Sequence, residues 1–132
     1  MTSEFVHLHN HSDYSLLDGA QKIDQLVNTI DDLNMDAVAL TEHGNMFSVL
    51  PYYKQAKKAG IKPIIGCEIY VAVGSRFEKK TRSDGGWGNN HLILLAQNFT
   101  GYKNLMKLVT AGYLEGFYYR PRIDMDLLRQ YS

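Results

Sequence analysis

Apolar and polar residues alternate along the chain in a way that predicts short strands separated by helices. Compact apolar runs typical of strands occur at 5–9, 37–41 (AVALT), 63–73 (PIIGCEIYVAV) and 91–96 (HLILLA). Apolar residues at helical spacing predict helices at 22–34, about 47–59, about 102–114 and 124–131. The order β-α-β-α-β-loop-β-α indicates parallel β-α-β units, in either a doubly wound sheet or a barrel.

The polar segment 74–90, between the third and fourth predicted strands, is rich in glycine. It contains neither GxxxxGK[ST] nor GxGxxG, so the sequence gives little support for a phosphate-binding loop there. No internal repeat or low-complexity segment interrupts the strand and helix pattern.

Length and composition fit one domain with an apolar core. The chain has 132 residues, of which 45% are hydrophobic. Lys and Arg together number 14, and Asp and Glu together also number 14, so the chain is neutral overall. This balance argues against a protein that binds nucleic acid mainly through bulk positive charge. Cys67 is the single cysteine, so neither an internal disulfide nor a cysteine-based zinc site is expected. We expect a cytoplasmic protein, because the N-terminus lacks signal-peptide features and no apolar run approaches the roughly 20 residues of a membrane span.

Three of the five histidines stand at alternate positions near the N-terminus. The side chains of His7, His9 and His11 point to one side if the first strand stays extended. A His-x-His pair can place two imidazoles on one metal ion as the strand ends. Asp18, set on a turn by Gly19, can reach back as a carboxylate ligand.

Further candidate ligands fall at or in the later strands. Glu42 and His43 follow the second strand, Glu68 lies inside the third, and His91 opens the fourth. A carboxylate within an apolar strand needs a partner, and a metal is a natural one. Mixed nitrogen and oxygen ligands suit Zn, Mn or Fe and are poor for Ca. The coincidence at three strand ends therefore predicts a metal site, because such ends meet in parallel β/α folds.

Each of these residues also has a plain structural interpretation. His7 can be a packed or hydrogen-bonded residue, and His43 can be an ordinary loop residue. Glu42 can be a carboxylate at a helix N-terminus, stabilised by the helix dipole. Cys67 is expected to be a small hydrophobic residue of the core.

Five segments in order, "FVHLHNHSDYSLLDGA", "ALTEHGNM", "AGIKPIIGCEIYV", "HLILLAQNFTGYKNLMKL" and "GFYYRPRID", carry a family resemblance. Over about residues 5 to 131 they resemble the N-terminal PHP (polymerase and histidinol phosphatase) domains of bacterial DNA polymerase III alpha subunits. The resemblance implies an α/β fold, a distorted (β/α)7 barrel with a metal cluster at the C-terminal ends of its strands. Residues 1–132 then form the N-terminal part of such a domain, so that the barrel here is partial and the polymerase module is missing.

The resemblance also assigns the metal ligands. These are His9, His11, Asp18, His43, Glu68 and His91, with Glu68 as the bridging carboxylate and Glu42 at an adjacent acidic position. His9, His11, Asp18 and Glu68 are the expected catalytic residues. The family carries a further His and a late Asp-x-His pair that do not occur after residue 91. The cluster, which holds two or three divalent ions in the complete domain, is therefore expected to be incomplete.

The function implied by the resemblance is a metal-dependent phosphoesterase of a replicative polymerase, of the 3′-5′ exonuclease type. Its expected partners are DNA (a single strand or a primer 3′ end), the rest of the alpha subunit and other replicase subunits, with no membrane. Candidate phosphate-binding residues, which could instead be solvated surface, are Arg76, Lys79, Lys80, Arg82, Arg120 and Arg122. The alternatives are a non-catalytic docking module for the polymerase and its proofreading subunit, and a histidinol-phosphate-type phosphatase, against which "LLDGA" and "GFYYRPRID" argue.

Overall fold

The computed structural model of the chain describes residues 4–16, 18–79 and 89–132, and these ranges form an α/β fold. The helices are α1 (Ile23–Asp32), α2 (Val49–Lys58), α3 (Phe99–Leu114) and α4 (Met125–Tyr131). The strands are β1 (Ala37–Leu40), β2 (Lys62–Ala72), β3 (Asn89–Leu95) and β4 (Arg122–Ile123). No helix within the described ranges has the length and apolar character needed to cross a membrane.

Strand β2 is the centre of the sheet, and every other strand pairs with it. β1 runs parallel to its first half, in the register that aligns Leu40 with Ile65. β3 runs antiparallel to its second half, and β4 runs parallel to the same half. Tyr70 pairs with both His91 and Arg122, so β3 and β4 lie on opposite edges of β2.

The direction of β3 departs from the parallel arrangement expected from the sequence. Parallel pairing is confirmed for β1, but β3 forms an antiparallel pair with β2. The short strand β4, which the sequence did not predict, also runs parallel to β2. The described part of the connection, residues 74–79, contains no helix. Parallel neighbours need a crossover, usually helical, whereas antiparallel neighbours do not, and an apolar run such as HLILLA carries no information about its direction.

The strand predicted at 5–9 does not form as a regular strand. The segment lies along β1, where the amide of Ala39 donates to the carbonyl of His7 at 2.8 Å and the amide of Thr41 donates to that of Asn10 at 2.9 Å. The two amides are two positions apart in the chain, whereas the two carbonyls that accept from them are three positions apart. This extra residue breaks the ladder and the strict alternation of side chains that depends on it.

The core consists of two clusters, and Ile65 of β2 packs against both. The first joins α1 and α2 to β1, and α1 contributes the face predicted from its spacing, which comprises Ile23, Leu26, Val27 and Ile30. The second joins α3 and α4 to β2 and β4, and it includes Cys67, as expected for a small core residue. Helix α3 begins earlier than predicted because the side chain of Asn98 accepts a hydrogen bond from the amide of Gly101 at 3.0 Å.

Candidate metal centre

Glu68 is a nearly buried carboxylate surrounded by four imidazoles. Its side chain projects from β2, and the residue is only 3% exposed. Oε2 lies 2.6 Å from Nε2 of His9 and 3.0 Å from Nε2 of His11. Oε1 lies 3.5 Å from Nδ1 of His43 and contacts Nδ1 of His91.

These residues form two ligand groups that share Glu68. The first group is His9, His11 and Glu68, and the second is His43, Glu68 and His91. Within each group, the potential ligand atoms all lie within 4.8 Å of one another. One carboxylate oxygen faces each group, so Glu68 has the geometry of a bridging ligand between two metal ions.

The imidazole nitrogens converge on one carboxylate, an arrangement that also suits metal ligands. Nε2 of His9 lies 3.1 Å from Nε2 of His11, and both nitrogens face the same carboxylate oxygen. Nδ1 of His43 is buried and has no hydrogen-bond partner. A buried polar atom without a partner is costly, and a divalent cation would satisfy it together with the converging nitrogens. The residues present therefore fit a divalent metal site.

Asp18 joins the centre from the solvent side, next to His43. Its Oδ2 lies 2.5 Å from Nε2 of His43, the ring nitrogen opposite the one that faces Glu68. Burial tends to raise the pKa of Asp18, but the hydrogen bond to His43 and the charges of the nearby His43 and His11 rings together lower the pKa below its ordinary value. Asp18 thus fixes the orientation of the His43 ring and offers a second, exposed carboxylate at the edge of the site.

The surroundings of Glu68 and His11 favour the protonation states in which these two residues bind metals. Burial alone would raise the pKa of Glu68, but the hydrogen bond from His9 and the nearby His43 and His91 lower it below its ordinary value. Burial, reinforced by the neighbouring His43, lowers the pKa of His11. An ionised carboxylate and neutral imidazoles are the forms that bind divalent metals.

His7 does not join the cluster. Its ring is exposed and packs edge-on against that of Phe5, with centroids 4.8 Å apart. The expectation that His7, His9 and His11 share one side holds only for the last two, since the extra residue opposite β1 interrupts the alternation.

A cleft of about 250 Å³ opens beside the second ligand group. Its lining includes Asp18, His43, His91, Tyr70 and Arg120. The guanidinium of Arg120 lies 5.6 Å from the centroid of the Tyr70 ring. Among the predicted phosphate-binding residues that the structure describes, Arg120 therefore lies next to the candidate ligands.

The other cations predicted to bind phosphate are placed differently. Arg76 is ion-paired with Glu115 at 2.6 Å and with Asp124 at 3.0 Å, so its charge is already used within the fold. Arg122 is buried and donates to backbone carbonyls, including that of Gly116 at 3.0 Å. Lys79 is exposed. Lys80 and Arg82 lie outside the described residues.

Two serines that the sequence analysis did not single out hold Glu42. The amide of Ser12 lies 3.2 Å from Oε2 of Glu42, and the hydroxyls of Ser12 and Ser15 both donate to this carboxylate. The interpretation of Glu42 as a helix N-terminal carboxylate is wrong, because the next helix, α2, begins only at Val49. The pair of serines between His11 and Asp18 was the available signal, but serines in a polar loop are too common to indicate such a contact.

Comparisons with known proteins agree with this geometry. The PHP domain family model matches residues 7–132. DNA polymerase III subunit alpha of Borreliella burgdorferi is 60% identical over 98% of the chain, and that of Aquifex aeolicus is 51% identical over 100%. The chain spans about a tenth of the length of these relatives, 11% and 12% respectively.

A solved structure with the same fold is an amidohydrolase from Chromobacterium violaceum, with bound sulfate and no metal. The match has a TM-score of 0.53 at 21% sequence identity and covers 80% of this chain and 34% of the amidohydrolase. The chain belongs to the PHP domain family.

Proposed function

We propose that the chain is the N-terminal part of a PHP phosphoesterase domain in a replicative DNA polymerase, and that it acts on DNA as a 3′-5′ exonuclease. The observation that carries the proposal is Glu68, one carboxylate shared by two groups of imidazole ligands. Family membership and the high identity to DNA polymerase III alpha subunits support the polymerase context. The rest of that subunit, other replicase subunits and a primer 3′ end are the proposed partners.

The proposed cofactors are two divalent ions, drawn from Zn, Mn and Fe. His9, His11 and Glu68 would hold one, and His43, Glu68 and His91 would hold the other. When bound, such metals supply Lewis-acid stabilisation of a phosphoryl group and lower the pKa of water. A third ion in the complete domain would need ligands beyond these two groups.

The protein's own side chains bind and orient the substrate around these ligands. Arg120 is exposed at the cleft and can pair with a phosphate oxygen. Tyr70 supports that guanidinium with the face of its ring. Asp18 is half exposed and hydrogen-bonded to His43, so its carboxylate can also accept a hydrogen bond from a water molecule at the edge of the cleft and orient that water.

The test is release of nucleotides from a labelled DNA primer with a mismatched 3′ end, measured with the purified chain and Mn²⁺ or Zn²⁺. We expect metal-dependent release that Glu68→Gln abolishes. Arg120→Ala is expected to raise KM about 10- to 100-fold through loss of a charged contact. Arg129→Ala is the matched control, since Arg129 pairs with Asp126 on the surface of α4 and leaves the cleft unchanged. Release that is independent of metal, or unchanged in Glu68→Gln, would contradict the proposal.

A non-catalytic docking module is the second candidate function. The observation that favours it is a row of exposed apolar side chains on and just before α2, formed by Phe47, Leu50 and Tyr53. Such a row is typical of a surface covered by another protein. If docking is the function, Leu50→Ser weakens co-elution with the remainder of the alpha subunit in size-exclusion chromatography, whereas Glu68→Gln leaves it unchanged.

A further inference from the structure

Glu42 is a buried carboxylate that the proposed function does not use. It is 1% exposed, although it immediately precedes the ligand His43. Its oxygens accept from the amide of Ser12, at 3.3 and 3.2 Å, and from the hydroxyls of Ser12 and Ser15. Glu42 belongs to neither ligand group of the described residues. The carboxylate therefore binds the loop between His11 and Asp18 rather than a metal.

The two serine hydroxyls around Glu42 have a fixed direction. Because a carboxylate only accepts, each hydroxyl must donate its single proton to Glu42. The remaining lone pairs then accept backbone amides: Ser12 Oγ from Tyr14 at 3.3 Å and Ser15 Oγ from His43 at 3.0 Å. Ser15 thus links the loop that carries Asp18 to the backbone of His43, and Glu42 determines the polarity of that link.

The backbone of Glu42 extends the same network to β2. Its carbonyl accepts from the amide of Glu68 at 3.0 Å and from Sγ of Cys67 at 3.3 Å. Glu42, which directly precedes His43, therefore contacts both the loop between His11 and Asp18 and the strand that carries Glu68.

We propose that Glu42 is a positioning residue for both metal subsites, and this inference rests on the proposed function. Through Ser12 and Ser15 it fixes the loop that carries His11 and Asp18 relative to His43 and Glu68. Glu42→Gln keeps the size of the side chain but leaves one accepting oxygen, so one serine hydroxyl loses its acceptor. Loss of a residue that orients metal ligands typically weakens metal affinity about 10- to 100-fold.

A matched control separates positioning from general stability. Tyr52 of α2 is fully buried, and its hydroxyl donates to the carbonyl of Val38 in β1. Tyr52→Phe removes this buried hydrogen bond without touching the ligands or the serines. We expect Tyr52→Phe to lower the unfolding midpoint and to leave metal affinity unchanged.

The experiment is isothermal titration of the purified chain with Mn²⁺ and with Zn²⁺, below each variant's unfolding transition. Glu42→Gln and Ser15→Ala are each expected to weaken binding about 10- to 100-fold. The double variant is expected to lose less than the sum of the two, because both changes break one network. Parent-like affinity in Glu42→Gln, or an equal loss in Tyr52→Phe, would overturn the inference. If Glu42→Gln does not fold, Ser12→Ala decides by the same criterion, because the Ser12 hydroxyl contacts Glu42 and no imidazole of the described residues, whereas Ser15 Oγ also lies 3.5 Å from Nδ1 of His11. A parent chain that binds no metal contradicts the proposed function instead.

Discussion

His43 and Glu68 are neighbours through the backbone of the sheet as well as through their side chains. They form a parallel bridge in the register that aligns Leu40 with Ile65, and the amide of Gly44 donates to the carbonyl of Glu68 at 2.8 Å. Their side-chain atoms Nδ1 and Oε1 are 3.5 Å apart. The spacing of these two candidate ligands is therefore set by strand register rather than by a loop.

His9 and His91 belong to different ligand groups, and their removal should have separable effects. We expect His9→Ala and His91→Ala each to lose one of the two ions bound by the parent, because each leaves the other group complete. His7→Ala is the control, since His7 is exposed and lies outside both groups. Elemental analysis after dialysis measures the stoichiometry. A loss in His7→Ala equal to that in His9→Ala would show that the assignment of the groups is wrong.

Gly44 and Gly60 both have positive φ, of 60° and 79°, but differ in the space around them. A Cβ at Gly44 would lie 2.8 Å from Cγ of Pro121 and 3.1 Å from the ring of Tyr70, whereas a Cβ at Gly60 meets nothing within 4 Å. Gly60→Ala is expected to lower the free energy of unfolding by about 1 to 2 kcal/mol, because an alanine is strained at this positive φ. Gly44→Ala should lower the free energy of unfolding by more, because the clash of its Cβ with Pro121 adds to the backbone strain. Urea unfolding of both variants compares them, and equal losses would contradict the packing described here.

Asp124 stabilises the start of α4 at neutral pH. Its carboxylate accepts from the amide of Leu127 at 3.0 Å and from Arg76 at 3.0 Å. Burial would raise its pKa, but the hydrogen bonds from Arg76 and Leu127 lower it below the ordinary value. Asp124→Asn is expected to lower the free energy of unfolding by about 1 to 2 kcal/mol at pH 7.

The pH dependence of that difference follows from the sign of the pKa shift. A carboxylate whose folded-state pKa is lowered stabilises the fold above its unfolded pKa of about 4, and this contribution disappears as pH falls through the folded value. The gap between parent and Asp124→Asn should therefore narrow below about pH 4, as measured by urea unfolding at several pH values. Asp126→Asn is the control, because Asp126 is exposed on the same helix. If the difference in stability between parent and Asp124→Asn does not narrow in acid, the charge of Asp124 is not the source of that difference.

The sequence predicts helices and strands well where the spacing of apolar residues reflects a face that is buried in the core. Helix α1 and strands β1 and β2 lie within a few residues of their predicted positions, since their apolar residues face a core. The irregular segment at 5–9 was predicted as a strand because its composition is β-prone, while its backbone contacts with β1 depend on a register that composition does not report. The antiparallel direction of β3 was missed for the same reason.

Part of the candidate site was likewise predictable from the sequence, and part was not. Convergence of His9, His11, His43 and Glu68 was expected, because parallel strand ends meet at one edge. His91 reaches Glu68 from an antiparallel strand, so its place in the cluster was expected only from the family resemblance. The hydrogen bonds of Glu42 with Ser12 and Ser15 span 27 to 30 residues of sequence, and nothing in the local pattern reports them.

The most direct test is the metal content of the purified chain and of Glu68→Gln, measured by elemental analysis after exhaustive dialysis. Glu68 touches both ligand groups, so its replacement should remove both ions, whereas Glu115→Gln, which alters a carboxylate paired with Arg76, should remove neither. We expect two equivalents of divalent metal in the parent and in Glu115→Gln, and none in a folded Glu68→Gln. No retained metal in the parent, or equal retention in Glu68→Gln, would contradict a metal centre bridged by Glu68.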